Sequence, residues 1–443
     1  MPQQNHGLLC NPYQGALQHR SARPLQVLRR ATDDLQRDLL VAFPNQQDQG
    51  SIFGDVLVYE PDGNGGFEST GTVLALNDST VGAPHSFSYR MSAASDFDGD
   101  GYKDLAVIGG ISYRVRMVIY RGGEEGISSS PYCILPIDHR IDNGHHPYRA
   151  RLVGGWDFNQ DGKEDYAIGS PFFHGEFGGI HILYGQEATD SDDCEFDIEI
   201  KSWQYGTGLG GEFEVGLIDD DSCPDLVFSE PTMHTDATRS GALQILWGSG
   251  ANCAADSELS SFYYPFGYNL LGTGLASGVD LNNDGYDEVV FSHGPSTEQR
   301  SFVLDGSLLS SALRKPFVGT TLSGPFYTNP SQYYDWLSDY VLVGTMYEGN
   351  SRMKMTEDGL GSKWLAFGDY QNDETRLYRY NENTGAFGQY PHTIVGSDSN
   401  STEWKGDLGS DIQFYGDSFL VGAPLSSFQG PAVGGVIHIP LVE

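Results

Sequence analysis

The feature that most constrains this chain is a nine-residue acidic pattern that occurs three times. It reads DFDGDGYKD at residues 96–104, DFNQDGKED at 157–165 and DLNNDGYDE at 280–288. Positions 1, 3, 5 and 9 carry a carboxylate or an amide oxygen, and position 6 is always glycine. Carboxylates held this close repel one another, and calcium relieves the repulsion because it accepts about six to eight oxygen ligands in a flexible shell. The pattern predicts three calcium-binding loops.

The residues after each loop distinguish these loops from EF-hands. An EF-hand requires a bidentate glutamate at position 12 and a helix on either side. Position 12 is Val107, Ile168 or Phe291 in the three copies, and each loop runs into a short apolar segment rich in β-branched and aromatic residues. Such segments are typical of strands. We therefore expect calcium loops that lead into β-strands.

Composition narrows the class of protein. The chain has 443 residues, 39% of them hydrophobic, and a formal net charge of −35. So acidic a surface disfavours binding to nucleic acid or anionic lipid. No apolar run reaches the roughly 18 residues of a membrane span, and residues 1–30 lack the apolar stretch of a signal peptide. The five cysteines show no zinc-type spacing, and their odd number leaves at least one without a partner in the chain.

A longer repeat runs through the whole sequence. Apolar strand-like segments, each followed by a second one, begin near seven anchor positions spaced 54 to 76 residues apart, namely 38, 104, 165, 225, 288, 364 and 418. A unit of about 60 residues cannot bury both faces of a small sheet alone, whereas radial packing of neighbours can. We predict an all-β fold, a seven-bladed β-propeller spanning residues 1–443 as one domain, with 1–24 as a candidate N-terminal extension. Two stacked β-sandwiches are the rival architecture.

The end of the chain adds a prediction about how the ring closes. The last unit contains one strand fewer than a four-stranded blade needs. We therefore expect the segment Leu25 to Leu28 to pair beside the segment Gly435 to Ile439.

The acidic loop followed by an apolar strand resembles the FG-GAP repeat of the integrin α-subunit head. Residues 419–424 (FLVGAP) carry the GAP half, and Leu209-Gly210 and Phe266-Gly267 are similar to the FG half. The resemblance implies calcium held by side chains at positions 1, 3, 5 and 9 and by the backbone carbonyl of position 7. Carried over, the ligand sets are Asp96, Asp98, Asp100, Tyr102 and Asp104; Asp157, Asn159, Asp161, Lys163 and Asp165; and Asp280, Asn282, Asp284, Tyr286 and Glu288.

One further segment departs from the pattern. Residues 217–225 (LIDDDSCPD) lack a carboxylate at position 1 and glycine at position 6. The segment either binds metal weakly through Asp219, Asp221 and Asp225 or survives as a turn, and the sequence favours the turn.

The resemblance also suggests a function. It implies a calcium-stabilised extracellular or cell-surface module that binds a protein or glycan partner, as in adhesion, and that is not an enzyme. The alternative is a carbohydrate-active propeller, either a lectin or a polysaccharide lyase. The aromatic-rich segment 310–340 and the histidine-rich segment 138–149 favour that alternative, although core-filling aromatics and solvated histidines explain them more simply.

Overall fold

The structure is a computed structural model of the full chain. It describes residues 23–29, 37–43, 47–48, 51–52, 55–61, 67–74, 84–111, 114–140, 150–187, 194–233, 241–250, 253, 258–263, 272, 274–293, 299–310, 314–316, 342–346, 352–369, 374–384, 386–395, 411–415, 418–423 and 435–440. Within these residues no helix is long and apolar enough to cross a membrane.

The strands of the first four sheets follow the chain in order. Sheet 1 contains β1 (Arg23–Arg29), β2 (Arg37–Phe43), β5 (Asp55–Pro61) and β6 (Phe67–Leu74), with a small hairpin of β3 (Gln47–Asp48) and β4 (Ser51–Ile52) between its strands. Sheet 2 contains β7 (Pro84–Ser95), β8 (Asp104–Ile111), β9 (Arg114–Tyr120) and β10 (Pro131–Arg140). Sheet 3 contains β11 (Arg151–Trp156), β12 (Asp165–Ser170), β13 (Gly179–Leu183) and β14 (Ile198–Lys201). Sheet 4 contains β15 (Phe213–Gly216), β16 (Asp225–Glu230), β17 (Ala242–Trp247), β18 (Glu258–Tyr263) and, from far along the chain, β22 (Lys315–Pro316).

The later sheets continue the series. Sheet 5 contains β19 (Leu275–Ala276), β20 (Val289–His293), β21 (Gln299–Leu304) and β23 (Leu342–Met346). Sheet 6 contains β24 (Arg352–Glu357), β25 (Lys363–Asp369), β26 (Glu374–Asn381) and β27 (Ala386–Val395). Three strands, β28 (Asp411–Tyr415), β29 (Ser418–Ala423) and β30 (Gly435–Pro440), form sheet 7. The short helices are α1 (Phe173–Glu176) and α2 (Gly306–Ser310).

All described pairings are antiparallel, and strands adjacent in sequence are mostly adjacent in the sheet. In sheet 3, for example, Leu152 pairs with Ile168, and Ile168 pairs in turn with His181. This order follows from short turns between strands, which favour antiparallel neighbours. The anchor positions of the sequence repeat lie at or within one residue of the start of the second strand in each of the seven sheets.

The hydrophobic core lies between consecutive sheets. The central strands are buried on both faces, so side chains that alternate along one strand enter two different cores. In β8, Val107 packs with Leu40 and Val56 of sheet 1, whereas Ile108 packs with Ile168 of sheet 3. The same alternation joins each later sheet to the next, through to Trp364 of sheet 6 and Phe419 of sheet 7. Each sheet therefore depends on its neighbours for burial.

The first strands of the sheets come together around a common centre. Contacts join β1 to β7, β7 to β11, β11 to β15, β15 to β19 and β19 to β24. The first strand of sheet 7, β28, contacts β24 on one side and β1 on the other. Sheets packed face to face with their first strands innermost form a β-propeller, and six of the described sheets contain four or more strands. The all-β propeller prediction is confirmed at this level.

The prediction about ring closure is wrong. Residues 25–28 belong to β1, which pairs with β2 inside sheet 1 rather than with β30. Within the described residues, sheet 7 keeps three strands, and β30 pairs with β29. The first and last sheets meet instead through contacts of β1 with β28 and β29. Closure here relies on packing between sheets, since β1 already has a partner in its own sheet.

Two disulfides connect segments distant in sequence. Cys133 in β10 of sheet 2 is bonded to Cys194, which precedes β14 of sheet 3. Cys223 is bonded to Cys253 within sheet 4 and its loops. The fifth cysteine, Cys10, lies outside the described residues. One disulfide therefore crosses between blades, and the other closes a loop within a blade.

Gly210 lies at a close approach between sheets 3 and 4. Its φ is +83°, and a Cβ built there would lie 2.1 Å from the carbonyl oxygen of Gly179 and 2.5 Å from the nitrogen of Ser170. The preceding residue, Leu209, is fully buried. Only glycine allows the two backbones to come this close. The other FG-like pair, Phe266-Gly267, lies outside the described residues.

We expect Gly210→Ala to lower the free energy of unfolding well beyond the roughly 1–2 kcal/mol that a left-handed backbone costs a side chain. The added methyl group collides with backbone that cannot move without separating the sheets. Thermal or denaturant unfolding measures the change. Gly206→Ala is the matched control, because Gly206 has a φ of +71° and no atom within 4 Å of a built Cβ. Equal losses in the two variants would contradict the close-approach argument.

Candidate functional site

The three acidic loops occupy equivalent places in sheets 2, 3 and 5. Each joins the first strand of its sheet to the second, so all three lie at the same end of the propeller. The first loop (residues 96–104) follows Ser95 and ends at the first residue of β8. The second loop (157–165) links β11 to β12, and the third loop (280–288) ends immediately before β20.

Within each loop, the carboxylate at position 1 closes a turn onto the glycine at position 6. The backbone N–H of Gly101 donates to Asp96 Oδ2 at 3.0 Å. The N–H of Gly162 donates to Asp157 Oδ2 at 2.9 Å, and that of Gly285 donates to Asp280 Oδ2 at 2.9 Å. The three glycines have φ values of +92°, +91° and +95°. A left-handed position favours glycine, which explains why position 6 does not vary among the copies.

Positions 3 and 5 are held by the backbone two residues ahead. The N–H of Asp100 donates to Asp98 Oδ1 at 3.2 Å, and the N–H of Tyr102 donates to Asp100 Oδ1 at 2.9 Å. The second and third loops repeat both bonds. Each bond is an Asx-type turn that fixes one side-chain oxygen. The loop backbone thereby orients the carboxylate and amide groups.

The carboxylate at position 9 is the buried part of each loop. Asp104 is 2% exposed; its Oδ2 accepts the N–H of Phe97 at 2.8 Å, and its Oδ1 accepts the N–H of Gly122 at 2.7 Å. Asp165 repeats both bonds with Phe158 and Gly185, and Glu288 accepts the N–H of Leu281. Position 9 therefore ties the start of its loop to its end and, in sheets 2 and 3, to the residues after the third strand.

Burial makes these carboxylates difficult to keep ionised. It raises the pKa of Asp104 and of Asp165 to about 7, and that of Glu288 to about 8. The pKa values of Asp96 and Asp98 are also raised, first by burial, with further repulsion from Asp100. An opposite charge nearby favours the ionised form. The loops thus have the electrostatic character of a cation site.

Two of the loops place acidic oxygens close enough to share one ion. Ligand oxygens of Asp96, Asp98 and Asp104 lie within 4.8 Å of one another, as do those of Asp280, Asp284 and Glu288. In each group one buried carboxylate oxygen has no hydrogen-bond partner, Asp96 Oδ1 in the first loop and Glu288 Oε1 in the third. Buried polar atoms are normally paired, so an unpartnered carboxylate oxygen in each cluster is suited to bind a cation such as calcium.

The other predicted ligands have different side-chain partners in the different loops. In the second loop the amide of Asn159 donates to Asp161 Oδ2 at 3.2 Å, and Lys163 Nζ lies 4.0 Å from that same oxygen. Asp98 Oδ2 is paired with Arg121 Nε at 2.7 Å in the first loop. Tyr102, Lys163 and Tyr286 lie at position 7, where the resemblance requires only their backbone carbonyls.

Neighbouring loops are bonded to one another through position 8. The carboxylate of Glu164 accepts a hydrogen bond from the backbone N–H of Asp96 at 2.6 Å and forms an ion pair with Lys103. The backbone N–H of Glu164 in turn donates to the carbonyl of Asp96 at 3.0 Å. Asp287 makes the same two backbone bonds to Leu217, at 2.7 and 2.8 Å. The sequence pattern identified the loops but gave no sign that position 8 joins them across blades.

Two polar clusters lie at the other end of the propeller. Arg151 pairs with Glu212 and Glu214, and Lys354 Nζ reaches Glu214 Oε1 at 3.3 Å. These side chains come from strands or turns of sheets 3, 4 and 6, so their juxtaposition depends on the ring. In the sequence, this cluster is indicated by charged residues on the predicted first strands, and such a signal is weak by itself.

The second cluster contains two histidines. His174 Nε2 lies 3.0 Å from Glu199 Oε1, and the His174 ring stacks on His181 with centroids 5.4 Å apart. Burial, and next the neighbouring His174, lowers the pKa of His181 to about 4. His174 adopts a left-handed backbone with φ +55°. Such strain in a non-glycine residue often marks a functional position.

Residues 141–149 and 317–341, which include most of the histidine-rich and aromatic-rich segments, lie outside the described residues.

Comparisons with known proteins give structural neighbours but no sequence relatives. No protein-family model matches the sequence, and no curated protein is similar to it. The periplasmic gluconolactonase PpgL of Pseudomonas aeruginosa is 14% identical, with a TM-score of 0.46, and the match covers 84% of this chain and 85% of that one. A putative 6-phosphogluconolactonase from Bacteroides fragilis is 11% identical (TM-score 0.46, 81% of each chain), and one from Bacteroides uniformis is 11% identical (TM-score 0.46, 84% of each chain).

These neighbours correct the functional prediction. The adhesion or binding module, integrin-like or carbohydrate-binding, is contradicted, because the structural neighbours are named as lactonases. The same names conflict with the prediction that the chain is not an enzyme. The physical reason for the error is that a propeller fold hosts unrelated functions, so calcium-type loops on a propeller do not determine what it does.

We expect Glu164→Gln to lower the free energy of unfolding by about 1 kcal/mol, because the carboxylate that accepts the Asp96 N–H and pairs with Lys103 becomes a neutral amide. Thermal unfolding in chelator measures the loss without any contribution from metal. Glu125→Gln, at an exposed residue of the turn after β9, is the control and should unfold like the wild type. A Glu164→Gln protein as stable as this control would show that the bond between loops contributes nothing.

Proposed function

We propose that this chain is a calcium-binding β-propeller whose acidic loops use the ion to hold the blades at one end. The observation that carries the proposal is the pair of buried carboxylate oxygens, Asp96 Oδ1 and Glu288 Oε1, that lack a hydrogen-bond partner within acidic clusters. Each would cost free energy if left unpaired in the folded protein. A hard cation with oxygen ligands satisfies both the unpaired atom and the excess negative charge.

The residues that would hold calcium are those of the predicted ligand sets. In the first loop they are Asp96, Asp98, Asp100 and Asp104, with the carbonyl of Tyr102; the second and third loops supply the equivalent residues. The ion provides positive charge and a fixed coordination shell, and its role in this proposal is structural. The second loop contributes an amide at Asn159, so its carboxylate charge is lower than that of the first loop.

The proposal includes FG-GAP-type repeats and a ring of seven blades. Its support is the recurrence of one loop at one place in successive sheets, together with contacts of β28 to both β24 and β1. Sheet 7, with its three described strands, is then the seventh blade.

The proposed location is outside the cytosol, in the periplasm or the extracellular space. Two disulfides support it, because disulfides persist in oxidising compartments. A calcium-dependent fold also suits such compartments, where sites of modest affinity are filled.

We expect calcium to raise the melting temperature of the wild type and Asp284→Asn to remove part of that increase. A filled site stabilises the fold by RT ln(1 + [Ca]/Kd), or about 2.7 kcal/mol at a hundredfold excess over Kd. Asparagine keeps the Oδ1 that accepts the Tyr286 N–H but removes the charge.

Asp221→Asn is the matched control for this measurement. Asp221 is also at position 5, and its Oδ1 accepts the Cys223 N–H at 2.7 Å, but its loop lacks the position-1 carboxylate. The control should keep the wild-type response to calcium. A wild type indifferent to chelator, or equal calcium responses in both variants, would contradict the calcium proposal.

A hydrolase is the second candidate function, favoured by the His174–Glu199 pair. Histidine is the commonest general base, the carboxylate of Glu199 lies 3.0 Å from His174 Nε2, and the left-handed backbone of His174 is consistent with a functional position. In such a reaction His174 would take a proton from water as the water attacks the lactone carbonyl carbon, and it would return that proton to the ring oxygen as the ester C–O bond breaks. The names of the structural neighbours supply the class of substrate to test, a sugar lactone.

For this candidate, we expect the wild type to accelerate opening of glucono-lactone above the buffer rate in a pH-stat assay, and His174→Gln to lose about 100-fold or more of that rate, the usual size of general-base catalysis. Glu187→Gln, at an exposed residue near the same sheet, should retain it. No acceleration by the wild type, or full activity in His174→Gln, would remove this candidate for this substrate.

A further inference from the structure

The degenerate loop (residues 217–225) keeps the hydrogen bonds of positions 3, 5 and 9 of the acidic loops. Its positions 4 and 6, Asp220 and Ser222, lack the positive φ that the other three loops have there. Asp225, at position 9, accepts the N–H groups of Ile218 at 2.9 Å and Gly248 at 3.0 Å. The N–H of Asp221 donates to Asp219 Oδ1 at 3.1 Å, and that of Cys223 donates to Asp221 Oδ1. The loop therefore retains the turns and the buried clamp of its three relatives.

The ligand set for a metal is incomplete in this loop. Position 1 is Leu217, which has no side-chain oxygen, and position 6 is Ser222 rather than glycine. Three carboxylates nevertheless remain, and Asp219 is only 3% exposed. Buried negative charge still requires a compensating group.

The guanidinium group of Arg314, from another part of the chain, is the compensating group. Arg314 Nη1 lies 2.8 Å from Asp219 Oδ2, Arg314 Nη2 donates to the Ser310 carbonyl at 3.2 Å, and the guanidinium lies 3.9 Å from the centre of the buried Trp247 ring. These three contacts fix the group from three sides. Arginine suits the position because its planar charge both pairs with carboxylates and stacks on aromatic rings.

The chain crosses between blades to deliver this residue. The helix α2 follows the third strand of sheet 5, and the next strand, β22, joins the edge of sheet 4. There Leu259 pairs with Lys315, and Glu258 pairs with Pro316. Arg314 immediately precedes β22, so the added strand positions it beside the degenerate loop. The Cys223–Cys253 disulfide holds position 7 of the same loop, where the other loops would offer a carbonyl to the ion.

We propose that Arg314 is the permanent internal cation of the degenerate loop, so that sheet 4 is held at this end without metal. The ion pair with Asp219 and the Cys223–Cys253 disulfide together replace what the other loops would obtain from a divalent ion. Arg121 pairs in the same way with Asp98 of the first loop, but that loop keeps the position-1 carboxylate of Asp96, whose Oδ1 lacks a hydrogen-bond partner, whereas position 1 here is Leu217. This proposal does not require calcium to bind elsewhere.

The test is a double-mutant cycle of Arg314→Met and Asp219→Asn, melted in chelator. Methionine keeps apolar contact with Trp247 but removes the charge and leaves Asp219 buried without its partner, which is strongly destabilising for a buried pair. We expect each single variant to lose roughly 2 °C or more in melting temperature. We expect the double variant to lose less than the sum, because neither charge then remains unpaired.

Two further measurements localise the effect. Lys201→Met removes a cation that lies 5.0 Å from the centre of the Phe177 ring, and it reports how much a cation–aromatic contact alone contributes. Amide hydrogen exchange of residues 217–225 should accelerate in Arg314→Met, whereas that of 96–104, two blades away, should not. Additive losses in the cycle, a loss no larger than that of Lys201→Met, or unchanged exchange at 217–225 would each overturn the proposal.

The calcium response of the wild type is measured separately. If calcium has no effect on the wild type, the calcium proposal fails, while the Arg314 cycle still decides the present one.

Discussion

The buried carboxylate at the end of each acidic loop is the interaction on which this end of the propeller depends. In sheets 2, 3 and 4 its two oxygens accept one N–H from the start of the loop and one from a glycine within two residues after the third strand. One side chain thus connects three segments of a blade. Hydrogen bonds to an ionised acceptor are among the stronger ones, but burial raises the pKa of the group that makes them.

The positive charge that balances the buried carboxylates comes, in our proposals, from different sources in different blades. We propose divalent calcium for the first and third loops, where a buried oxygen lacks a partner, and for the second loop by its sequence. In the degenerate loop the proposed source is Arg314, which lies in sequence between the third and fourth strands of sheet 5 and immediately precedes the strand that joins sheet 4. The hydrogen bonds of positions 3, 5 and 9 are therefore compatible with either source of charge, because the loop itself makes the turns that orient these oxygens.

Blades are also connected to one another at the level of the loops. Glu164 and Asp287 each bond to the first residue of the loop in the preceding blade, so a distortion at one loop reaches the next. This continuity complements the apolar cores between sheets, in which alternate residues of one strand serve two neighbours. The charged and histidine clusters lie at the other end of the propeller, and the fold alone assigns them no role.

The sequence by itself determined the loops, the strands that follow them and the all-β class, because these depend on local spacing: carboxylates two residues apart, glycine at a left-handed position and apolar runs after each loop. It misled on ring closure, since counting strands cannot show that β1 already pairs with β2, and on adhesion, since a repeat family fixes a scaffold rather than a ligand. Only the tertiary structure decided the pairing of Cys133 with Cys194, the bond of Glu164 to Asp96 and the placement of Arg314 against Asp219. Each of these joins residues at least 61 positions apart. Such pairs form only when separate blades pack together, and no local pattern records which blades those will be.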